Sequence, residues 1–221
     1  MKKQMLSFAL AALCSSPLFA QEMTANAGRT TFGIRAGVNF QNINGKDADD
    51  DKLKNDLLTA FHAGINVEIP VGTGTYIQPG ALYSVKGAKW ENKSETKISY
   101  VEIPVNLIYK PVVGTGNMVL GFGPYVGFGI SGKQKDSDGD EMDIKFTNEY
   151  EVSLTNPQPQ YRRMDAGANF LAGYEFANRL SFQLNAQLGL TDINPKIPEN
   201  LGGDNINFRN TGWGISLGYR F

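Results

Sequence analysis

The chain has 221 residues, with 21 basic against 22 acidic side chains, one histidine, one cysteine and 25 glycines. A formal charge of −1 excludes the concentrated basic surface of a nucleic-acid binder, and a single His with a single Cys excludes the commonest zinc sites, so no cofactor is expected. The hydrophobic share of 41% and aromatic share of 11% suffice for one folded domain, while no run after residue 20 reaches the roughly 18 apolar residues of a spanning helix.

Residues 1–20 read as an export signal: Lys2 and Lys3, an apolar stretch from Met5 to Leu13, then Pro17 before Leu18, Phe19 and Ala20. Cleavage after Ala20 leaves Gln21 first. A lipidated Cys14 competes with this reading, but a lipidated cysteine normally follows a small residue and this one follows Leu13. Removal of 1–20 takes Lys2, Lys3 and Cys14, leaving 19 basic residues (21 minus 2), 22 acidic residues and no disulfide. Residues 21–30 form a short polar lead-in, and 31–221 form the folded domain.

That domain reads as eight strands, at about 32–40, 61–69, 77–85, 101–109, 118–130, 164–176, 180–190 and 213–221, each with period-two apolar alternation. In the first, Phe32, Ile34, Ala36, Val38 and Phe40 alternate with Gly33, Arg35, Gly37 and Asn39. In the fifth, Phe122 and Phe128 oppose Gly121, Gly123, Gly127 and Gly129. A soluble sandwich or lipocalin-like barrel would carry Lys, Glu and Thr on its solvated face. Here that face is Gly, Asn, Gln and Ser, residues that suit the narrow lumen of a closed barrel whose larger apolar residues face lipid. The joins after strands two, four and six are short (about 70–74, 111–116 and 177–178). Those after strands one, three, five and seven are longer (about 42–56, 88–96, 132–160 and 192–208). The alternation matches short periplasmic turns and long external loops, with both termini periplasmic. Pro104 and Pro124 fall inside strands and predict local bulges.

Several phrases carry a family resemblance: Phe32 to Asn39, the run Ile77 to Gly87 with its QPxxxYSxKG pattern, Tyr100-Val101-Glu102-Ile103-Pro104-Val105, and the closing Gly218-Tyr219-Arg220-Phe221. Over about residues 30–221 the chain resembles the outer-membrane β-barrel domain family often labelled porin-like, and is similar in scale to the small OmpX and OmpA-type barrels. The resemblance implies an all-β, eight-stranded antiparallel up-and-down transmembrane barrel in a Gram-negative outer membrane, and no defined substrate. Trp213, Ile215, Leu217, Tyr219 and Phe221 resemble the carboxy-terminal signal read by barrel assembly machinery, and equally a lipid-facing last strand. Expected partners are that machinery and outer-membrane lipid.

The strand parity sends Arg35, His62, Glu68, Lys86, Glu102, Asp165, Glu175 and Arg220 into the lumen. An eight-stranded barrel is just wide enough for side chains to fill, so these charges are expected to pair and plug it; a polar conduit for ions or small solutes is the alternative. His62, beside Glu68 and Gly64 on this face, invites a general-base reading, but no Ser or Cys nucleophile motif accompanies it, and a structural hydrogen-bonding role is expected. Asp136, Asp138 and Asp140 could form a loose cation site. They miss the EF-hand pattern, since Gly139 is fourth and Thr147 twelfth from Asp136. Otherwise they make a solvated loop tip, as do Asp47, Asp49, Asp50 and Asp51. Outward aromatics near strand ends, Phe40, Tyr83, Tyr109, Tyr174, Phe176, Trp213 and Phe221, fit interfacial girdles.

The expected function is non-enzymatic: envelope reinforcement or surface contacts through the 132–160 and 192–208 loops. A passive porin-like channel, a lipid-modifying barrel enzyme and a soluble periplasmic ligand-binding barrel are the alternatives.

Overall fold

A computed structural model describes residues 29–46, 51–152, 158–198 and 206–221. The export signal, nearly all of the lead-in, and Asp47, Asp49 and Asp50 lie outside the described residues. The eight barrel strands are β1 (Thr31–Lys46), β2 (Leu58–Gly72), β3 (Thr75–Trp90), β4 (Glu95–Tyr109), β5 (Gly116–Lys135), β6 (Met164–Glu175), β7 (Leu180–Gly189) and β8 (Asn207–Arg220). Each pairs antiparallel with its sequence neighbour, and β1 against β8 closes the sheet, from Gly33 opposite Arg220 to Lys46 opposite Asn207. This is a closed eight-stranded antiparallel barrel, so the ring itself has no open edge.

Close approach explains particular glycines. A Cβ on Gly37 would fall 2.0 Å from the carbonyl oxygen of Ile215, and one on Gly129 would fall 2.7 Å from the Phe146 ring. The turns at Gly74 and at Lys93, at opposite ends of the barrel, take positive φ, 65° and 66°.

Two expectations are corrected here. Pro104 and Pro124 make no bulge: Pro104 stays in register with Tyr125 and Pro124 with Ala168. The ladder omits pairs around Gly80 and Ala81 opposite Ile103 and Pro104, and around Val105 and Asn106 opposite Gly123 and Pro124. A missing N–H is thus met by a skipped rung, not an inserted residue. The shifts occur at Pro70/Gly72 and Ser99/Tyr100. Secondly, the strands run further outward than alternation alone indicates, so the join expected at 88–96 shrinks to a turn between Trp90 and Glu95.

The outward extension has its own logic. Below it, outward positions such as Phe32, Ile65, Ile103, Phe122 and Leu184 are exposed and apolar, as a lipid-facing wall requires. Toward the external rim the faces exchange character: Lys89, Lys97, Lys133 and Lys135 are exposed outward, whereas Ile43, Ala88 and Ile98 are buried inward. The rim is built like a soluble barrel, apolar inside and charged outside. Connecting segments fold into it. Ile144, Tyr161 and Ile193 join Ile43, Ala88, Ile98 and Tyr100 in one buried cluster, flanked by Leu53, Trp90, Phe146 and Phe208. Backbone bonds hold the segments there, Ile144 N–H to Gly132 O at 2.9 Å and Ile193 N–H to Phe208 O at 2.8 Å.

The outward aromatics pack in pairs, Phe40 on Trp213 with ring centres 4.4 Å apart and Phe61 near Tyr83 toward the external side. Tyr174 meets Phe176, and Tyr219 meets Phe221, at the periplasmic strand ends.

Candidate functional site

The polar interior is organised in three layers. Nearest the apolar rim, Lys86 Nζ lies 2.7 Å from Glu102 Oε1 and 3.0 Å from Asp165 Oδ2, with all three side chains at most 2% exposed. β3, β4 and β6 bring them together because residues 86, 102 and 165 share the inward parity. Tyr125 stacks its ring 4.2 Å from the ammonium and donates its hydroxyl to Asp165 at 3.3 Å. Asn210 donates to Asp165 at 3.1 Å and Gln187 to Glu102 at 2.9 Å. One cation is thus shared by two carboxylates, and neutral donors satisfy much of the remaining negative charge.

The middle layer surrounds His62. Its Nδ1 lies 2.6 Å from Asn39 Oδ1 and its Nε2 lies 2.7 Å from Ser216 Oγ, which also accepts from Asn185 Nδ2 at 2.6 Å. Arg35 donates to Asn185 Oδ1 at 3.5 Å and makes no ion pair with a carboxylate among the described residues. His62 is hydrogen-bonded on both ring nitrogens, but its neighbours are a serine and an orienting amide in place of Glu68, and Arg35 lacks the expected carboxylate partner among the described residues. Asn39 on β1 and Ser216 on β8 are far apart in the chain and meet only because those strands close the barrel. Serine, imidazole and amide stand in the order used for nucleophilic catalysis. However, Ser216 is 1% exposed and the adjoining cavity is about 30 Å³, room for about one water. The arrangement fixes three strands to one another and leaves no space for an acyl substrate.

At the end of the bore that holds the chain's last strand residue, Glu68, Lys110, Glu175 and Arg220 form the third layer. Lys110 Nζ is 2.7 Å from both Glu68 Oε2 and Glu175 Oε2, while Arg220 reaches Glu68 at 2.7 Å and Glu175 at 3.5 Å. Gln78 donates to Glu68 at 3.0 Å, and Arg220 donates to Asn66 at 3.0 Å. Lys110 was missed in the sequence because it follows the last residue of its strand. Continuing the inward parity from Asn106 and Ile108 would have found it. An apolar group of Ile108, Val119 and Leu171, with Tyr76 against it, lies elsewhere in the interior.

The charges sum to neutrality: Arg35, Lys86, Lys110 and Arg220 against Glu68, Glu102, Asp165 and Glu175. In a low-dielectric cylinder that balance limits the desolvation cost of burying them.

Asp136, Asp138 and Asp140 do not converge on a common point. Asp136 Oδ1 instead accepts the backbone N–H groups of Asp138, Gly139 and Asp140 at 2.9 to 3.0 Å, an Asx turn that shapes the loop tip. Among the described residues no three acidic, histidine or cysteine side chains cluster as metal ligands. Around this tip, Lys133 pairs with Glu141 at 2.7 Å and Lys145 with Glu151 at 2.7 Å. Hydrogen bonds from those lysines hold both glutamates below the usual carboxylate range.

The family model described as outer membrane protein beta-barrel domain matches residues 19–194. The chain belongs to that family. No curated protein matches the sequence. Among solved structures, the chain is similar to Ail, the attachment invasion locus protein of Yersinia pestis, in complex with the heparin analogue sucrose octasulfate. There the identity is 12% and the TM-score 0.43, covering 88% of this chain and 100% of that one. It is also similar to a major outer membrane protein from Thermus thermophilus, at 13% identity and a TM-score of 0.41, again over 88% of this chain and 100% of that one. Likeness of that degree speaks to neither ligand nor activity.

Proposed function

We propose that the protein is a non-enzymatic outer-membrane barrel with a closed lumen, acting through its external rim and the 132–160 and 192–208 segments as a surface-contact or envelope-reinforcing element. The observation that carries this reading is the stacked obstruction of the interior. The apolar rim cluster, the Lys86–Glu102–Asp165 group and the Glu68–Arg220–Lys110–Glu175 group each occupy the bore at a different height. An eight-stranded bore has no room beside such side chains for a hydrated ion. The rim supports the same reading: its apolar packing and backbone bonds make it a rigid platform, with charged side chains turned outward.

Planar-bilayer recording of the refolded mature chain tests the closed lumen. The expected trace shows no discrete conductance steps. Reproducible single-channel openings would replace the closed reading by a passive channel for ions or small solutes. The order of groups in the Ser216–His62–Asn39 chain is the one observation on the side of a lipid-modifying reading, and treatment with a serine-directed fluorophosphonate separates the two. No covalent adduct on Ser216 is expected, and stoichiometric labelling would establish a nucleophile.

A further inference from the structure

The small cavity in the middle layer, about 30 Å³, is lined by Arg35, Gln41, Ser84, Glu102 and Asn106 among others. Two of these side chains are orphaned. Gln41 Oε1 and Asn106 Oδ1 are buried, and neither has a hydrogen-bond partner among the described residues. Both residues are 2% exposed. A buried amide oxygen without a donor is costly, and native interiors satisfy nearly all of them with protein groups or ordered water. Arg35 is under-used from the donor side: its hydrogen bond to Asn185 Oδ1 is 3.5 Å long, at the outer limit of such a contact.

The charges of the interior bear on what fits there. The Lys86–Glu102–Asp165 group sets one ammonium against two carboxylates and keeps an excess negative charge, while Glu68, Glu175, Lys110 and Arg220 balance at the other end of the bore. Arg35 supplies the compensating positive charge from the middle layer, across the cavity that Glu102 also lines. The lining therefore mixes donors with acceptors and one cation with one anion. That excludes an ion as occupant, since a cation would stand against the Arg35 guanidinium and an anion against Glu102 and the two amide oxygens. Water serves all of them, because it both donates and accepts, and it would serve a turned amide as well. A water needs roughly 10–15 Å³ and two to four polar partners, and this cavity supplies both.

We propose that this cavity is a built hydration site, in which a trapped water accepts from the Arg35 guanidinium and donates to Gln41 Oε1 and Asn106 Oδ1. The three contacts complete the water's own partners and remove both orphans. They also hold the guanidinium in the cavity shared with Glu102, where the opposite excess charges of the middle and upper layers offset each other. The site is shut on one side by the Lys86 group and the apolar rim cluster. On the other side it is shut by the Glu68–Arg220–Lys110–Glu175 group. The bore is thus wet at its centre and closed at its ends, and the water leaves only when the interior rearranges. Its confinement rests on the closed lumen proposed above, whereas its presence does not.

Water-selective NOE and ROE spectra of the mature chain refolded in micelles test it, read on the side-chain amide protons of Gln41 and Asn106. A water held for longer than the particle takes to tumble gives NOE and ROE cross-peaks of opposite sign, and a freely exchanging one gives the same sign. Opposite signs are expected at both residues. Absence of a cross-peak at both amides means a dry cavity and overturns the site. Cross-peaks of the same sign overturn the trapping and, if bilayer recording also shows openings, the closed lumen with it. Ser84→Ala removes a hydroxyl that lines the cavity, and the cross-peaks are expected to persist without it. Their loss in that variant would show that the hydroxyl relayed them, which also overturns the site. The wild-type spectrum needs no variant, so a substitution that impairs folding does not shield the idea.

Discussion

Lys86→Met removes the ammonium that pairs with both Glu102 and Asp165 and keeps the length of the side chain. The cation stands 2.7 and 3.0 Å from the two carboxylates, in a site at most 2% exposed. Breaking a buried ion pair by removing one partner costs about 3–5 kcal/mol, because the surviving charge stays buried. Two charges survive here, which pushes the cost up. Gln187, Tyr125 and Asn210 still donate to them, and the methionine adds about 1 kcal/mol of apolar burial, which together pull it down. The expected loss is about 3 kcal/mol. Neutralising the carboxylates as well, in K86M/E102Q/D165N, removes the uncompensated charge and is expected to recover more than half of the loss. Urea titration of the lipid-reconstituted barrel, followed by the emission of Trp90 and Trp213, reads both numbers. Only preparations whose gel migration shifts on boiling are scored as folded. A single variant within about 1 kcal/mol of the wild type, or a triple variant no more stable than the single one, would refute the view that the triad is a tightly coupled buried charge group.

The height of the membrane is open to a depth test: Ile65→Arg, on the lipid face in the middle of β2, is expected to cost about 2–4 kcal/mol, and Thr59→Arg near the rim about 0–1 kcal/mol. Equal costs in the same urea assay would move the boundary. His62→Ala takes the imidazole away from Asn39 Oδ1 and the Ser216 hydroxyl, leaving Asn39 its bond to Ser84 and Ser216 its bond from Asn185, and is expected to cost about 1–3 kcal/mol, with no hydrolytic activity toward an ester to lose. A turnover present in the wild type and absent in the variant would contradict this. At the loop tip, Glu141 and Glu151 are held below the ordinary glutamate range by their lysines. A depressed folded pKa stabilises above the unfolded value and loses that contribution as pH falls through the folded one. Both pairs should therefore persist at mildly acidic pH and break only below the unperturbed value of about 4.3, as side-chain carboxyl NMR shifts of the two residues can follow. Titration at or above that value would show the pairs to be absent in solution.

How far the fold was legible from residues alone varies along the barrel. Alternation in β1, β5 and β7 was readable because each strand meets only two environments, lipid and a narrow lumen, and a period of two separates them without reference to any partner. The same rule placed Arg35, Glu68, Lys86, Glu102, Asp165, Glu175 and Arg220 inside. It failed where the environments exchange sides: Ile43 and Ile98 sit on the inward parity, and reading apolar as outward hid the fact that the strands continue into a soluble-like rim. It also stopped one residue short at Lys110, where a strand end looked like the start of a turn.

Which inward residues meet was beyond the sequence, because that depends on the stagger of strands around a closed ring. Asn39, His62 and Ser216 come from three strands, two of which are joined only by closure. Lys86 reaches Asp165 across 79 positions of chain. The prolines show the same division. Their residue type announces a missing donor, but whether the sheet answers with an extra residue or an omitted rung depends on how its neighbours pack. Local periodicity determined that these residues form a barrel and which face of each strand looks inward, since covalent geometry imposes that alternation. Only the tertiary structure decided the pairing of charges, the apolar packing of the rim segments and the direct apposition of Lys97 and Lys133, since each follows from inter-strand register and from segments that fold back across the rim.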